Sequence, residues 1–311
     1  MMAHIHVIHE NAAWSEPLFA RLQARSLPYR DWDLGTGHFD LSAPPPQGVF
    51  YSRMSASAHT RGHRYAPEYA ATILAWLEAH DRRVINGSRA IQLELSKAAQ
   101  YAALDAAGIR TPRTVPALGR EAVLAAARRF DGAFITKHNR GGKGLGVRLF
   151  EHREALAEWL DGPDYDPPVD GVLLLQEYIR APESFIIRAE FVGGRFLYAV
   201  RVDTSEGFEL CPAEACAVDA ARPLFEILPD FTSPLLDQYR QFLSVNRIQV
   251  AGIEFIVDAA GHAYAYDINT NTNYNPAAEA EVGMSGMDAL AGYLGGELAK
   301  RLYGGTVSVA A

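Results

Sequence analysis

The stretch SFIIRAEFV-GG-RFLYAVRV, residues 184–202, leaves the chain least freedom. Two runs rich in β-branched and aromatic residues flank Gly193-Gly194, and a two-residue glycine turn between such runs specifies a tight antiparallel hairpin. The turn sets the register, so Val192 faces Arg195, Arg188 faces Ala199 and Ile186 faces Arg201. One face is then wholly apolar, with Ile187, Ala189, Phe191, Phe196, Tyr198 and Val200. The other carries Arg188, Glu190 and Arg201, the two arginines being diagonal neighbours about 7–8 Å apart. Two guanidinium groups so placed either share an anion or are relieved by Glu190.

A second hairpin is predicted in Val250–Pro276, VAGIEFIVDAAGHAYAYDINTNTNYNP, with its turn between Asp258 and His262. Residues two apart on a strand share a face, so Asp267 and Asn269 point the same way, and Glu254 on the partner strand is within reach of them. Two carboxylates and an amide oxygen make a hard-oxygen set suited to Mg²⁺. The alternative is two solvated acids on an open sheet face.

Upstream, β-α-β alternation over residues 1–90 predicts a small open α/β domain without a dinucleotide fingerprint. Its alternating His4, His6 and His9 fit strand periodicity better than a metal site. The third predicted strand, GVFYSRM, runs into a polar, basic loop with Arg53, Ser55, His59, Arg61, His63 and Arg64. Open α/β sheets bind ligands at that edge, so Arg53, Ser55, His59 and Arg61 are candidate substrate contacts; a solvated connection is the other reading. Asn271, in the Asn-rich loop after the second hairpin, joins them as a substrate candidate.

Residues 91–175 read as a linking unit. Ile91–Ala107 is predicted as one helix with Lys97 on its central turns, stopped by Gly108. AFITKHNRGGKGLGVRLF then places Lys137 inside a strand, followed by a glycine-rich loop with Gly142, Lys143 and Gly144. A strand follows that loop, so it is not a P-loop; it reads as a hairpin flap or as an ordinary turn. GVLLLQEYI is a buried strand leading to the third unit, 176–311.

Composition narrows the classes. Lys plus Arg number 29 against 37 Asp plus Glu, a net charge of −8, which argues against nucleic-acid binding. Cys211 and Cys216 make neither a disulfide framework nor a zinc site. No apolar run is long enough to span a membrane and no secretory signal is read at the N-terminus, so a cytoplasmic protein is expected.

Taken in order, LSKAAQYAALDAAGI, FITKHNRGGKGLGV, LLLQEYI, the Arg188/Arg201 hairpin and VAGIEFIVD…YAYDINTN resemble the ATP-grasp superfamily, most closely its RimK-type carboxylate–amine (α-L-glutamate) ligases. The resemblance runs from Ile91 to Ala278 and is weaker before it. It implies an α/β fold, α+β in the C-terminal part: an ATP-grasp body behind an N-terminal pre-ATP-grasp domain. It implies ATP, with Lys97 and Lys137 on its phosphates under the Gly142–Gly144 flap, and Gln176, Glu177, Tyr178 and Ile179 at the adenine. Glu254, Asp267 and Asn269 would hold two Mg²⁺ ions, Mn²⁺ being an alternative, and Arg188 and Arg201 would steady the transferred phosphoryl group. The order Glu254 then Asp-Ile-Asn exchanges the family's usual acidic lengths, and Ile186 stands where a ribose-binding acid is usual, leaving Glu183 as the substitute. The implied function is amide formation through an acyl-phosphate, from a small carboxylate and an amine of an amino acid or peptide. A kinase of the same fold and a non-catalytic nucleotide binder are the rivals, and homo-oligomerisation is left open.

Overall fold

The computed structural model describes residues 3–142, 144, 146–205 and 224–303. Lys143, Cys211 and Cys216 lie outside the described residues. Three sheets follow one another along the chain. The first has strands β1 (His4–His9), β2 (Tyr29–Asp33), β3 (Gly48–Ser52) and β4 (Arg83–Ile85), all parallel in the order β2-β1-β3-β4. Alternation decides its two faces: Ile5, Val7, Val49 and Tyr51 enter one core, while Ile8 and Phe50 enter another with helix α2 (Ala66–Ala79). The histidines of β1 are absorbed by the same pattern. His6 stacks on Phe50 with ring centres 4.5 Å apart, and His9 pairs with Asp31 at 2.6 Å.

The second sheet is antiparallel, β5 (Thr114–Leu118), β8 (Val172–Glu177), β6 (Phe134–His138) and β7 (Arg148–Phe150) side by side, with the glycine-rich loop joining β6 to β7. The third, also antiparallel, runs β11 (Phe225–Leu228), β10 (Arg195–Asp203), β9 (Phe185–Val192), β12 (Val250–Val257) and β13 (Ala263–Asn269). This is the expected architecture: an open α/β layer, then antiparallel sheets carrying helices.

Two departures bear on the site. The helix predicted over 91–107 is broken into α3 (Ser88–Glu94) and α4 (Lys97–Ala106). Ser96 caps the second, its side chain accepting from the Ala99 N–H, which puts Lys97 on the first turn and not mid-helix. The C-terminal helix α9 (Gly286–Tyr303) returns to the first sheet, where Leu290, Leu294 and Leu298 share a core with Ile5, Val7 and α1 (Ala12–Ala24). Arg83 on β4 holds Glu297 of that helix at 2.5 Å. The same core takes Val192, Tyr198 and Val200 from the third sheet, so the two ends of the chain are packed as one body. No helix among the described residues is long and apolar enough to cross a membrane.

Candidate active site

A cleft of about 510 Å³ opens where the three sheets meet. Its floor is one face of the third sheet, and a backbone irregularity decides which side chains stand there. From the turn, β12 and β13 pair regularly through Val257–Ala263, Ile256–Tyr264 and Phe255–Ala265. Tyr266 is then an extra residue, so Glu254 stands opposite Asp267 and Gly252 opposite Asn269. Without that bulge Glu254 would oppose Tyr266, and Asp267 would face the other way. On the far side of β12, Glu254 is opposite Arg188 and Gly252 opposite Glu190. Three adjacent strands thus present a row, Arg188–Glu254–Asp267, with Asn269 beside it.

The contacts within the row are close. Asn269 Nδ2 donates to Glu254 Oε1 at 3.3 Å, and Arg188 Nη1 lies 4.0 Å from that oxygen. Arg188 Nε donates to Glu190 Oε1 at 2.6 Å, and its Nη2 donates to the Asn273 carbonyl at 2.7 Å. Gly252 makes room for this: a Cβ there would stand 3.0 Å from the Glu190 carboxylate.

Two lysines come to the Asp267 end. Asn139, just past β6, accepts the Lys97 N–H on its carbonyl at 3.0 Å and the Ala98 N–H on Oδ1 at 2.9 Å. The start of α4 is thereby fixed to the strand that carries Lys137. Lys97 forms an ion pair with Asp267. Lys137 is buried and donates to Tyr101 Oη and to the Tyr266 carbonyl, each at 3.2 Å. The bulge residue therefore also supplies an acceptor for Lys137.

These neighbours set the charges. Burial pushes the Asp267 carboxyl up, but Lys97 and Lys137 outweigh it and hold the group below its ordinary value. Glu254 is raised by burial and by Asp267 beside it, only partly offset by Arg188 and the lysines. Burial lowers the Lys137 ammonium against the pull of Asp267 and Glu254. The site thus holds one firmly ionised carboxylate and one that resists ionisation.

Other predicted residues divide. Gly142, Gly144, Gln176, Glu177, Tyr178, Ile179, Glu183, Ser55 and Asn271 line the cleft. Arg201 does not meet Arg188. Leu197 is an extra residue in β10, so beyond it Tyr198 opposes Glu190, Val200 opposes Arg188 and Arg201 opposes Ile187. The predicted facing pairs hold only nearest the turn, and Arg201 is carried to the opposite face, where it lies 3.5 Å from both Glu183 and Glu226. Tyr198 and Val200 take its place at the cleft.

In the polar loop, Arg61 is engaged by the buried Glu10 at 2.5 Å and by Ser57 Oγ at 3.0 Å, and it stacks over Trp14. Its charge is thus met by Glu10, just past the end of β1. His59 bonds the Ala56 carbonyl at 3.2 Å and stands outside the cleft lining. Arg53 is 1 % exposed and lies behind the lining. Glu94, not singled out from sequence, is buried against the cleft and accepts from the Ala56 N–H (3.1 Å) and the Thr270 N–H (2.8 Å), tying the polar loop to the segment after β13. Its place among the apolar residues of a short helix was the available signal.

No family model and no curated protein matches the chain. Solved structures do. The ATP-grasp ligase PsnB, complexed with minimal precursor, aligns at 17 % identity and TM-score 0.69 over 94 % of this chain and 99 % of its own. A RimK domain protein ATP-grasp from Sphaerobacter thermophilus aligns at 17 % identity and TM-score 0.64, over 94 % and 99 %. D-alanyl-alanine synthetase A from Vibrio cholerae aligns at 13 % and 0.64, over 96 % and 99 %. At such identities the likeness is one of fold.

Proposed function

We propose that this chain, which has the ATP-grasp fold, is an ATP- and Mg²⁺-dependent ligase joining a carboxylate to an amine through an acyl-phosphate. The observation that carries this reading is the row Arg188–Glu254–Asp267 with Lys137 on the floor of one cleft, and Lys97 paired with Asp267 from behind it. Three buried or half-buried cations suit a polyphosphate, and acidic groups interleaved with them suit a divalent ion.

Among the described residues no group of three or more His, Cys, Asp or Glu is placed to hold a metal ion. Two carboxylates and an amide oxygen nevertheless fit Mg²⁺, which is commonly held by one or two carboxylates together with substrate phosphates; Mn²⁺ suits the same oxygens. Glu254, Asp267 and Asn269 are the proposed ligands, and two ions are the proposed stoichiometry. Bound there, the metal would offset the charge on the phosphate oxygens.

In the proposed reaction the substrate carboxylate attacks the γ-phosphorus, the bond to the β–γ bridging oxygen breaks, and ADP leaves. Arg188 is placed to steady the phosphoryl oxygens, with Lys97 and Lys137 on the phosphates. The amine then attacks the acyl carbon and loses a proton, and phosphate departs. Between the steps water must be kept out, a task suited to the loop bearing Gly142 and Gly144. Gln176 to Ile179 are proposed at the adenine, Glu183 at the ribose, and Ser55 and Asn271 at the acceptor end. PsnB, solved with a precursor, and D-alanyl-alanine synthetase support amino-acid or peptide substrates here.

The test is trapping. With ATP, Mg²⁺, hydroxylamine and a panel of carboxylates, at least one carboxylate should give a hydroxamate and stoichiometric ADP. A phosphorylated alcohol with no hydroxamate from any carboxylate would contradict the proposal.

A further inference from the structure

Arg53 leaves the C-terminal end of β3 and is almost wholly buried. Its Nη2 donates to the Trp14 carbonyl at 3.2 Å and to Asn273 Oδ1 at 2.8 Å. Nε and Nη1 reach no acceptor among the described residues. The nearby acids are engaged elsewhere: Glu190 by Arg188 and Thr272, and Glu94 by Ala56 and Thr270. A buried cation without a counter-charge is costly, and a protein retains one where something pairs with it.

Two hydroxyls share the condition. Tyr51 and Tyr274 are buried, and neither Oη has a hydrogen-bond partner. Both lie close enough to Arg53 to feel its charge, although the Tyr51 contact lacks hydrogen-bond geometry. The set is rich in unused donors, so its complement is an acceptor bearing negative charge. Trp14, Asn273 and Tyr274 line the cleft, so Arg53 and the two hydroxyls stand at or directly behind its wall. Asn273 joins it to the row: Arg53 holds that residue's side chain and Arg188 its carbonyl.

We propose that Arg53, Tyr51 and Tyr274 bind a carboxylate of the substrate that does not react, the free carboxylate of an amino acid or of a peptide end. One arginine and two single hydroxyls match two oxygens, whereas the cations suited to a polyphosphate stand elsewhere in the cleft. Calling this anion a substrate group rests on the ligase reading; its binding does not.

Melting temperatures are therefore measured without nucleotide, in acetate, L-glutamate or alanyl-alanine, against inorganic phosphate and chloride at matched ionic strength. Wild type should melt higher in at least one carboxylate than in chloride or phosphate, and Arg53→Gln should show no carboxylate-specific rise. Tyr51→Phe and Tyr274→Phe remove hydroxyls that bond nothing, so their ligand-free melting temperatures should not fall. Each should need about tenfold more carboxylate for the same rise, the loss of one hydrogen bond to a charged group. No carboxylate-specific rise in wild type, an equal rise in Arg53→Gln, a larger rise in phosphate, or tyrosine variants that melt lower without ligand would each overturn the proposal. Because ATP is absent, such a failure leaves the hydroxamate result to stand or fall alone.

Discussion

The two long hairpins of the third sheet each contain one extra residue, with opposite consequences. In β12–β13, Tyr266 turns Asp267 onto the face of Glu254 and assembles the acidic half of the site. In β9–β10, Leu197 turns Arg201 away from Arg188 and brings Tyr198 and Val200 to the cleft instead. A bulge inverts every side chain beyond it. The same small device therefore concentrates charge in one hairpin and disperses it in the other. Charged residues two apart on a strand are informative about each other; charged residues on paired strands are informative only if the ladder between them is regular.

The largest contrast should be between the two arginines. Arg188→Ala removes a guanidinium from the row and should lower the ATP-dependent rate by at least about 100-fold, as loss of a group that stabilises developing charge does. Arg201→Ala breaks two ion pairs to exposed acids and should change the rate by less than about fivefold. Equal losses in steady-state assays of both variants would contradict the separation of the two arginines.

That contrast marks the limit of what the sequence discloses. Both hairpin turns, the lysine within β6, and Asp267 and Asn269 on one face follow from glycine placement and strand periodicity. The bulges do not. Leu197 and Tyr266 are ordinary strand residues; beyond Leu197, Tyr198 and Val200 enter a core with Tyr274 and Met287, and beyond Tyr266, Ile268 enters one with Ile253. The break before Lys97 was written in Ser96, a cap residue inside an otherwise helical pattern. The pairing of Arg61 with Glu10 joins residues far apart in the chain, so no local pattern announces it. Nor does local pattern announce the return of α9 to the first sheet.

A smaller effect sharpens the comparison within the acidic row. The folded state raises the Glu254 carboxyl, so it binds more protons than the unfolded chain as pH rises past the ordinary value of 4.5. Stability is then lost as pH rises through the raised value. Glu254→Gln, which cannot ionise, should therefore melt a few degrees above wild type at pH 8, and the gain should shrink to nothing as pH falls below 4.5. Asp267 has the opposite sign: its lowered carboxyl contributes stability at neutral pH that is lost in acid, so Asp267→Asn should melt below wild type at pH 8. Parallel shifts of the two variants would show that the two carboxyls are not shifted in opposite directions.

The most direct test is calorimetric titration of a non-hydrolysable ATP analogue into wild type and Asp267→Asn, each with and without Mg²⁺. If the β12–β13 face is where nucleotide and metal meet, Mg²⁺ should tighten binding to wild type by about tenfold or more, a charge-assisted contribution of about 1.5–3 kcal/mol. In Asp267→Asn the two titrations should nearly coincide. Full Mg²⁺-dependent tightening in Asp267→Asn would contradict the account, because the metal would then be held away from the face that Tyr266 creates.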